Sequence, residues 1–537
     1  MFKENIVHNQ TSLFNSTGLM SEGVKKKLEK SWAPIFYDHI FSKIDEKPFA
    51  VMYSDTGRPN FPVNILLSLE YIKHFQNYTD DELVENFNFN YLLNYAVGIR
   101  TLGETNLAER TLYEFRSRIY KYTREHLGED DLIFGQFLKL LDEFAAVAGI
   151  SDKLQRMDST MFMSNIKKSG RLALAYDVLV NAVKAIPEEL CSSSLKEVLT
   201  SEFKTNTLYR VKINETESKF ENILNLSREA SETLKGLNQE KEIDAFRIIN
   251  RFLSEQAEYD QETDRLTAKD KKNISASSLQ SAYDEDATFR NKAGKSQSGY
   301  VANLSETCSK ENPFQLITDY KVAANITSDV ELIKKRLPEL KNNTDCEELY
   351  VDGGYYSQEA AGSDEEHGVK INFTDMTGKT PKDKIGACEF KLDDEKFIES
   401  CPNGINPIRS AEKDGQIVAH FGLEACDNCE LLDQCPVKKQ KKSYVVRFSQ
   451  KVLTASKQRK MIAENYKSNC SMRAGIEGTN SALKRRHGMS KLRVRGLAKS
   501  QVEVGLKVTA QNFRRLCTYL LQTAKKLNEP YRGVALP

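Results

Sequence analysis

Glu348-Leu-Tyr-Val-Asp352-Gly-Gly-Tyr355 is the stretch on which the fold turns. It reads as a short strand that ends in an acid and two glycines. Open α/β sheets place functional groups at such strand ends. Upstream, Gly299-Tyr-Val-Ala-Asn-Leu304 and Phe314-Gln-Leu-Ile-Thr-Asp-Tyr-Lys-Val-Ala323 are set to pair as a hairpin across the polar turn near 309–312. Residues 329–340 read as a helix. Further back, Lys153-Leu-Gln-Arg-Met-Asp158-Ser-Thr-Met-Phe-Met163 is strand-like and carries an acid in a run that otherwise reads as core. An unpaired charge there is expensive. Downstream, Val369-Lys-Ile-Asn-Phe373 is another short strand. The resulting order, three strands, helix, strand, helix, strand, predicts an α/β fold.

The chain has 537 residues and a formal net charge of +1, which hides a strong asymmetry. Residues 436–500 hold 18 Lys and Arg against two acids, Glu464 and Glu477, and the rest of the chain has 59 basic and 74 acidic residues. One basic face on an otherwise acidic protein fits a localised polyanion partner. Glu477 lies within it, in the helix-like run Arg473-Ala-Gly-Ile-Glu477-Gly-Thr-Asn480-Ser-Ala-Leu-Lys484-Arg-Arg-His487. Two readings compete there. Glu477 pairs with Arg473 or Lys484 as a helix salt bridge, or it holds a divalent cation against a bound phosphate backbone. No apolar run is long enough to cross a bilayer, and the first ten residues lack an apolar signal core. The expectation is a cytoplasmic, nucleoid-associated protein without a membrane partner.

Residues 20–145 read as helical. Apolar residues recur at helical spacing over 62–75, and Thr79-Asp-Asp-Glu82 has the form of a capping box. The Arg- and Tyr-rich run from Arg110 fits either a DNA-backbone contact or a plain structural bundle. Residues 170–290 are again helical and polar, an inserted subdomain whose low aromatic content speaks against a core of its own. A last helix over 501–521, apolar on one face, is expected to close the core.

Ten cysteines are present, four of them between 401 and 435. Cys426-Asp-Asn-Cys429, Cys435-Pro and Cys401-Pro-Asn-Gly supply the four thiolates of a tetrahedral structural zinc site, with Cys388 or His420 as alternatives to Cys401. The competing reading is four reduced thiols in a small insertion.

Asp158, Asp352 and Glu477 together can form one acidic cluster of the kind that binds Mg²⁺ or Mn²⁺. In order and context these residues resemble the bacterial insertion-sequence transposases of the DDE class. Arg-Met-Asp158-Ser-Thr is similar to that family's first-strand aspartate, and Tyr-Val-Asp352-Gly-Gly-Tyr-Tyr-Ser to its second. Arg473, Glu477 and Lys484 fit the Tyr-x2-Arg-x3-Glu-x6-Lys signature, except that Cys470 stands at the tyrosine position and Tyr466 one turn earlier. Thr56-Gly-Arg-Pro59, the 62–75 helix and Ala108-Glu-Arg-Thr-Leu-Tyr-Glu-Phe-Arg116 resemble the family's helical domain.

The resemblance implies an RNase H-like mixed sheet flanked by helices. It implies metal-dependent cleavage at transposon ends and strand transfer into target double-stranded DNA, with Asp158, Asp352 and Glu477 as catalytic metal ligands, on a homodimer. Arg473, Lys484, Arg485, Arg486, Lys491, Arg493 and Arg495 are then DNA contacts. Two alternatives are a domesticated DNA-binding protein without activity and a metal-dependent nuclease without strand transfer. The expected division is an N-terminal all-α domain (1–148), a catalytic core (149–184, 295–375 and 470–525), a helical insertion (185–294) and a Cys-rich basic insertion (376–469).

Overall fold

The computed structural model describes residues 1–9, 15–128, 131–262, 264–292, 294–376, 385–394, 397–527 and 531. Its central sheet has five principal strands, β1 (Leu154–Phe162), β2 (Lys295–Thr307), β3 (Ile317–Ala324), β4 (Glu348–Val351) and β5 (Lys370–Phe373). They lie in the order β3-β2-β1-β4-β5. β2 is antiparallel to both β1 and β3, whereas β4 is parallel to β1 and β5 to β4. The β2–β3 hairpin forms across the polar turn that the sequence marks. The first part of β2 also pairs with a short strand, Thr288–Lys292. The molecule is thus a mixed α/β protein, as its alternating pattern predicts.

Helix Asp329–Asn343 follows β3, and with Met157, Leu349 and Val351 it forms a compact apolar cluster. The long helix Gln450–Arg486 runs against β1, β4 and β5. It begins at Gln450, well before the expected resumption of the core at 470. Ser449 caps it through its hydroxyl, and residues 450–470 are largely polar, so apolar periodicity does not announce the helix.

The last helix, Leu497–Leu527, differs from expectation too. Every residue from Ala498 to Phe513 except Lys499 is buried. It lies between β3 and helices Val63–Gln76, Glu109–Glu125 and Leu132–Ala148. Several of its polar residues are matched inside the protein. Gln501 donates to Asp131 at 3.2 Å and Lys507 to the His487 carbonyl at 2.7 Å. The N-terminal helices therefore share one apolar core with the sheet. In those helices the Thr79–Glu82 capping box is present. Arg116 is committed to structure, donating to Glu70 at 2.7 Å and through two nitrogens to Asp80.

The polar insertion has its own core after all. Aliphatic residues from helices Arg171–Ala185, Thr216–Leu234 and Glu240–Gln256 pack with Phe220 and Phe252. Few aromatics suffice because three helices each contribute an aliphatic stripe. Helix Arg171–Ala185, assigned by its sequence to the catalytic core, packs into this cluster.

The Cys-rich segment forms a four-stranded antiparallel sheet from Arg409–Lys413, Gln416–Phe421, Lys438–Lys439 and Tyr444–Ser449 over a small core. Among the described residues no helix is long and apolar enough to cross a membrane.

Candidate active site

Period-2 alternation on β1 sends Met157 into the core and Arg156 and Asp158 to the opposite face. That face lies under helix Gln450–Arg486. The parallel register pairs Arg156 with Tyr350, and continuing it sets Asp158 beside Asp352 at the end of β4. Asp352 caps the following turn by accepting from the Gly354 N–H at 2.8 Å. On the helix, Arg473, Glu477, Asn480 and Lys484 recur at helical spacing and form one stripe.

Arg473 joins the three acids. Its Nη2 lies 3.3 Å from Asp158 Oδ1 and 3.6 Å from Asp352 Oδ2, and its Nη1 lies 3.1 Å from Glu477 Oε1. Asn480 donates to the other oxygen of Asp158 at 3.0 Å. Burial lifts the Asp158 carboxyl to about 6 against the pull of Arg473, and Asp352 adds to the rise. Burial lowers Lys484, and Asp158 opposes that shift. Glu477 is the most open of the three acids, its side chain 65% exposed against 13% for Asp158. The salt bridge of Glu477 to Arg473 is present, and that same partner also holds the two aspartates.

A buried layer fixes the helix above the strand. Glu306 on β2 is fully buried. One of its oxygens accepts from Arg156 Nε at 2.8 Å, and the other from the Thr479 hydroxyl at 2.6 Å and Arg515 at 3.1 Å. Arg156 also donates to the Met472 carbonyl at 2.9 Å. Gly475 makes room for this contact, for a Cβ there would overlap the Arg156 guanidinium. Beneath Asp352, Ser159 donates to Asp329 at 2.6 Å and the Tyr355 hydroxyl to Asn303 at 2.6 Å. These supporting residues escaped the sequence reading. Arg156 was the most accessible of them, being two residues from Asp158 and so on its face.

Of the predicted DNA contacts, Arg473 faces the acids and Lys484 is half-buried beside them. Arg485, Arg486, Lys491, Arg493 and Arg495 are exposed. Cys470 lies within hydrogen-bonding reach of the Tyr466 side chain, which is 54% exposed, so an aromatic ring does stand one turn before the expected position.

All ten cysteines of the chain are free, and in the Cys-rich module Cys401, Cys426, Cys429 and Cys435 lie near enough to feel one another's charge. Burial first, then Cys435, Cys401 and Cys429, push the Cys426 thiol up to about 11. Ile405 N–H points at Cys401 Sγ at 3.4 Å, Asn403 Nδ2 at Cys429 Sγ at 3.5 Å, and the Val437 N–H bonds to Cys435. The two alternative ligands are engaged elsewhere. Cys388 accepts from Ser456 at 3.2 Å and His420 pairs with Ser443 at 3.1 Å. Among the described residues, no three His, Cys, Asp or Glu side chains are drawn together tightly enough to hold a metal ion as they stand.

Comparison with known families gives two matches. Residues 25–118 match the model described as Transposase domain (DUF772), and residues 400–517 match the Transposase DDE domain. The second segment includes Glu477 and the four cysteines but neither aspartate. Both matched segments are transposase segments, and together they support an insertion-sequence transposase of the DDE class. No curated protein and no solved structure matches the chain.

Proposed function

We propose that this transposase cuts DNA at the ends of a mobile element and joins the freed ends to target DNA, with Asp158, Asp352 and Glu477 as its catalytic acids. One observation carries the reading: three carboxylates remote in sequence converge on the single guanidinium of Arg473. The β3-β2-β1-β4-β5 order, a mixed sheet with its last two pairings parallel, supports the reading of an RNase H-like core.

The donor set fits Mg²⁺ or Mn²⁺, hard cations that prefer oxygen ligands. Asp158 supplies a carboxylate that burial makes costly to leave charged, a cost that a cation bound beside it would offset. Bound there, a pair of such ions supplies activation of the attacking oxygen and stabilisation of the leaving one. Arg473 holds the three acids together until they are engaged, then offers its fork to a phosphate. Lys484 adds a point charge next to Asp158. Arg485, Arg486, Lys491, Arg493 and Arg495 extend the basic track along the DNA backbone, a salt-sensitive contact. Tyr466 provides the aromatic face that Cys470 lacks. Joining two ends calls for a homodimer on DNA, and the N-terminal helical domain, residues 1–148, recognises the ends.

The thiol set fits one structural Zn²⁺ at Cys401, Cys426, Cys429 and Cys435, because backbone and amide N–H groups already point at three of the sulfurs and would stabilise thiolates. Purified full-length protein should cleave the DNA ends flanking its gene with Mg²⁺ or Mn²⁺, and then join them to a target duplex. Cleavage without joining would reduce it to a nuclease, and binding without cleavage to a silent relative.

A further inference from the structure

The helical insertion takes no part in the chemistry above, yet its edge meets the basic track. A cleft of about 370 Å³ is lined by Asp177 and Tyr283 of the insertion together with Lys167, Lys491 and Arg495. Lys167, Lys491 and Arg495 are exposed. Tyr283 is 49% exposed, and the Arg495 guanidinium lies over its ring, 5.0 Å from the centroid.

Both walls are fixed in place. The chain after β1 is zipped to the basic loop, Met163 donating to the Ser490 carbonyl at 3.1 Å, Leu492 to Met163 at 2.8 Å and Asn165 to Val494 at 2.8 Å. On the insertion side, Asp284 accepts from both Ser164 and Tyr300, and Asp286 accepts from the Leu497 N–H at 3.0 Å. Tyr283 is therefore presented from an anchored segment rather than from a free loop.

The chemistry of the cleft selects its ligand. Exposed cations suit a phosphate, and a half-exposed aromatic ring suits a base. The volume lies at the low end of small-molecule sites, about 300–1,000 Å³, which admits one nucleotide and not a duplex. Asp177, the one acid in the lining, can accept from an exocyclic amino group.

We propose that this cleft binds one unpaired nucleotide of the DNA, with its base on Tyr283 and its phosphate among Lys167, Lys491 and Arg495. The inference rests on the acidic cluster as the site of DNA cleavage.

Fluorescence anisotropy with the full-length chain, using a labelled single strand and a hairpin duplex of the same composition, tests it. Tyr283→Ala should weaken single-strand binding by about 5- to 100-fold, the worth of one stacked base, and leave duplex binding within about twofold. Tyr283→Phe should bind as wild type. Unchanged single-strand affinity in Tyr283→Ala overturns the inference, as does an equal loss on both DNAs. Glu477→Gln separates the two claims: it should bind both DNAs normally and cleave neither. If wild type cleaves while Tyr283→Ala shows no single-strand defect, only the cleft falls. If wild type neither binds nor cleaves, the parent reading falls and the cleft with it.

Discussion

The carboxylate site and the cysteine module both gather metal-type ligands, but they are supported in opposite ways. Asp158, Asp352 and Glu477 sit on β1, at the end of β4 and on a 37-residue helix, elements anchored in two apolar clusters of the sheet and its helices. A cation of the protein's own, Arg473, already occupies the space between them. Cys401, Cys426, Cys429 and Cys435 hang on short turns over a small core, with N–H groups as their only polar partners named above. The acids have a scaffold that stands without a metal, whereas the thiols have little else to organise them. The first site should lose chemistry on mutation and keep its fold, and the second should lose its fold.

The largest effect is expected in the cysteine module. Chelation of the purified protein, or Cys426→Ser, should open the segment around 401–449 to protease while the N-terminal helices remain protected. Structural zinc in small modules contributes on the order of 10 kcal/mol. Zinc content near one per chain, lost in the variant, is the companion measurement. A metal-free protein with an unchanged cleavage pattern would erase the contrast between the two sites. Next in size is Glu477→Gln, which should lower Mg²⁺-dependent DNA cleavage by about a thousandfold or more, roughly 4 kcal/mol of barrier, with an unchanged melting temperature. Full activity in that variant would remove Glu477 from the chemistry.

The contrast also explains what could be read from the sequence. The strands of the sheet and the acids were legible because each acid stands in a marked place: inside an apolar strand, before Gly353-Gly354, or alone among bases. The helix start at Gln450 was not, since a solvated helix rich in Lys and Ser carries no apolar period. The full burial of Leu497–Leu527 was hidden by Gln501, Glu503 and Lys507, which look solvent-facing until Asp131, Tyr120 and the His487 carbonyl are found opposite them. The network under the active helix was invisible for the same reason. Nothing local in Glu306 or Arg515 reveals that they meet.

That network offers a third test. Gly475→Ala adds one methyl group where the Arg156 guanidinium lies, and Arg156 can move only by loosening its bonds to buried Glu306 and the Met472 carbonyl. Disturbing a buried pair costs about 3–5 kcal/mol when one partner is left alone. The variant should unfold at clearly lower denaturant and cleave more slowly at equal metal saturation. Gly478→Ala is the control, because a Cβ there meets nothing within 4 Å. Equal stability of the two variants would mean that the helix is not held at Arg156.

The smallest effect concerns Asp158 and has a definite sign. Its carboxyl is raised from an ordinary 3.8 to about 6, chiefly by burial. The folded chain therefore binds that proton more tightly than the unfolded chain. The group's contribution to stability is fully present below about pH 4 and is lost as pH rises through 6. Asp158→Asn removes the buried charge and keeps an oxygen that can accept from Arg473 or Asn480. At pH 8 without divalent metal it should be more stable than wild type by roughly 3 kcal/mol, and this advantage should shrink towards pH 4. DNA cleavage by wild type should move the other way, increasing as pH passes through 6, because a divalent cation needs the ionised acid. Added Mg²⁺ or Mn²⁺ should then stabilise wild type more than the Asn variant at pH 8. If both respond alike, the buried acid is not a ligand, and the carboxylate site would join the cysteine module in needing a different account of what holds it.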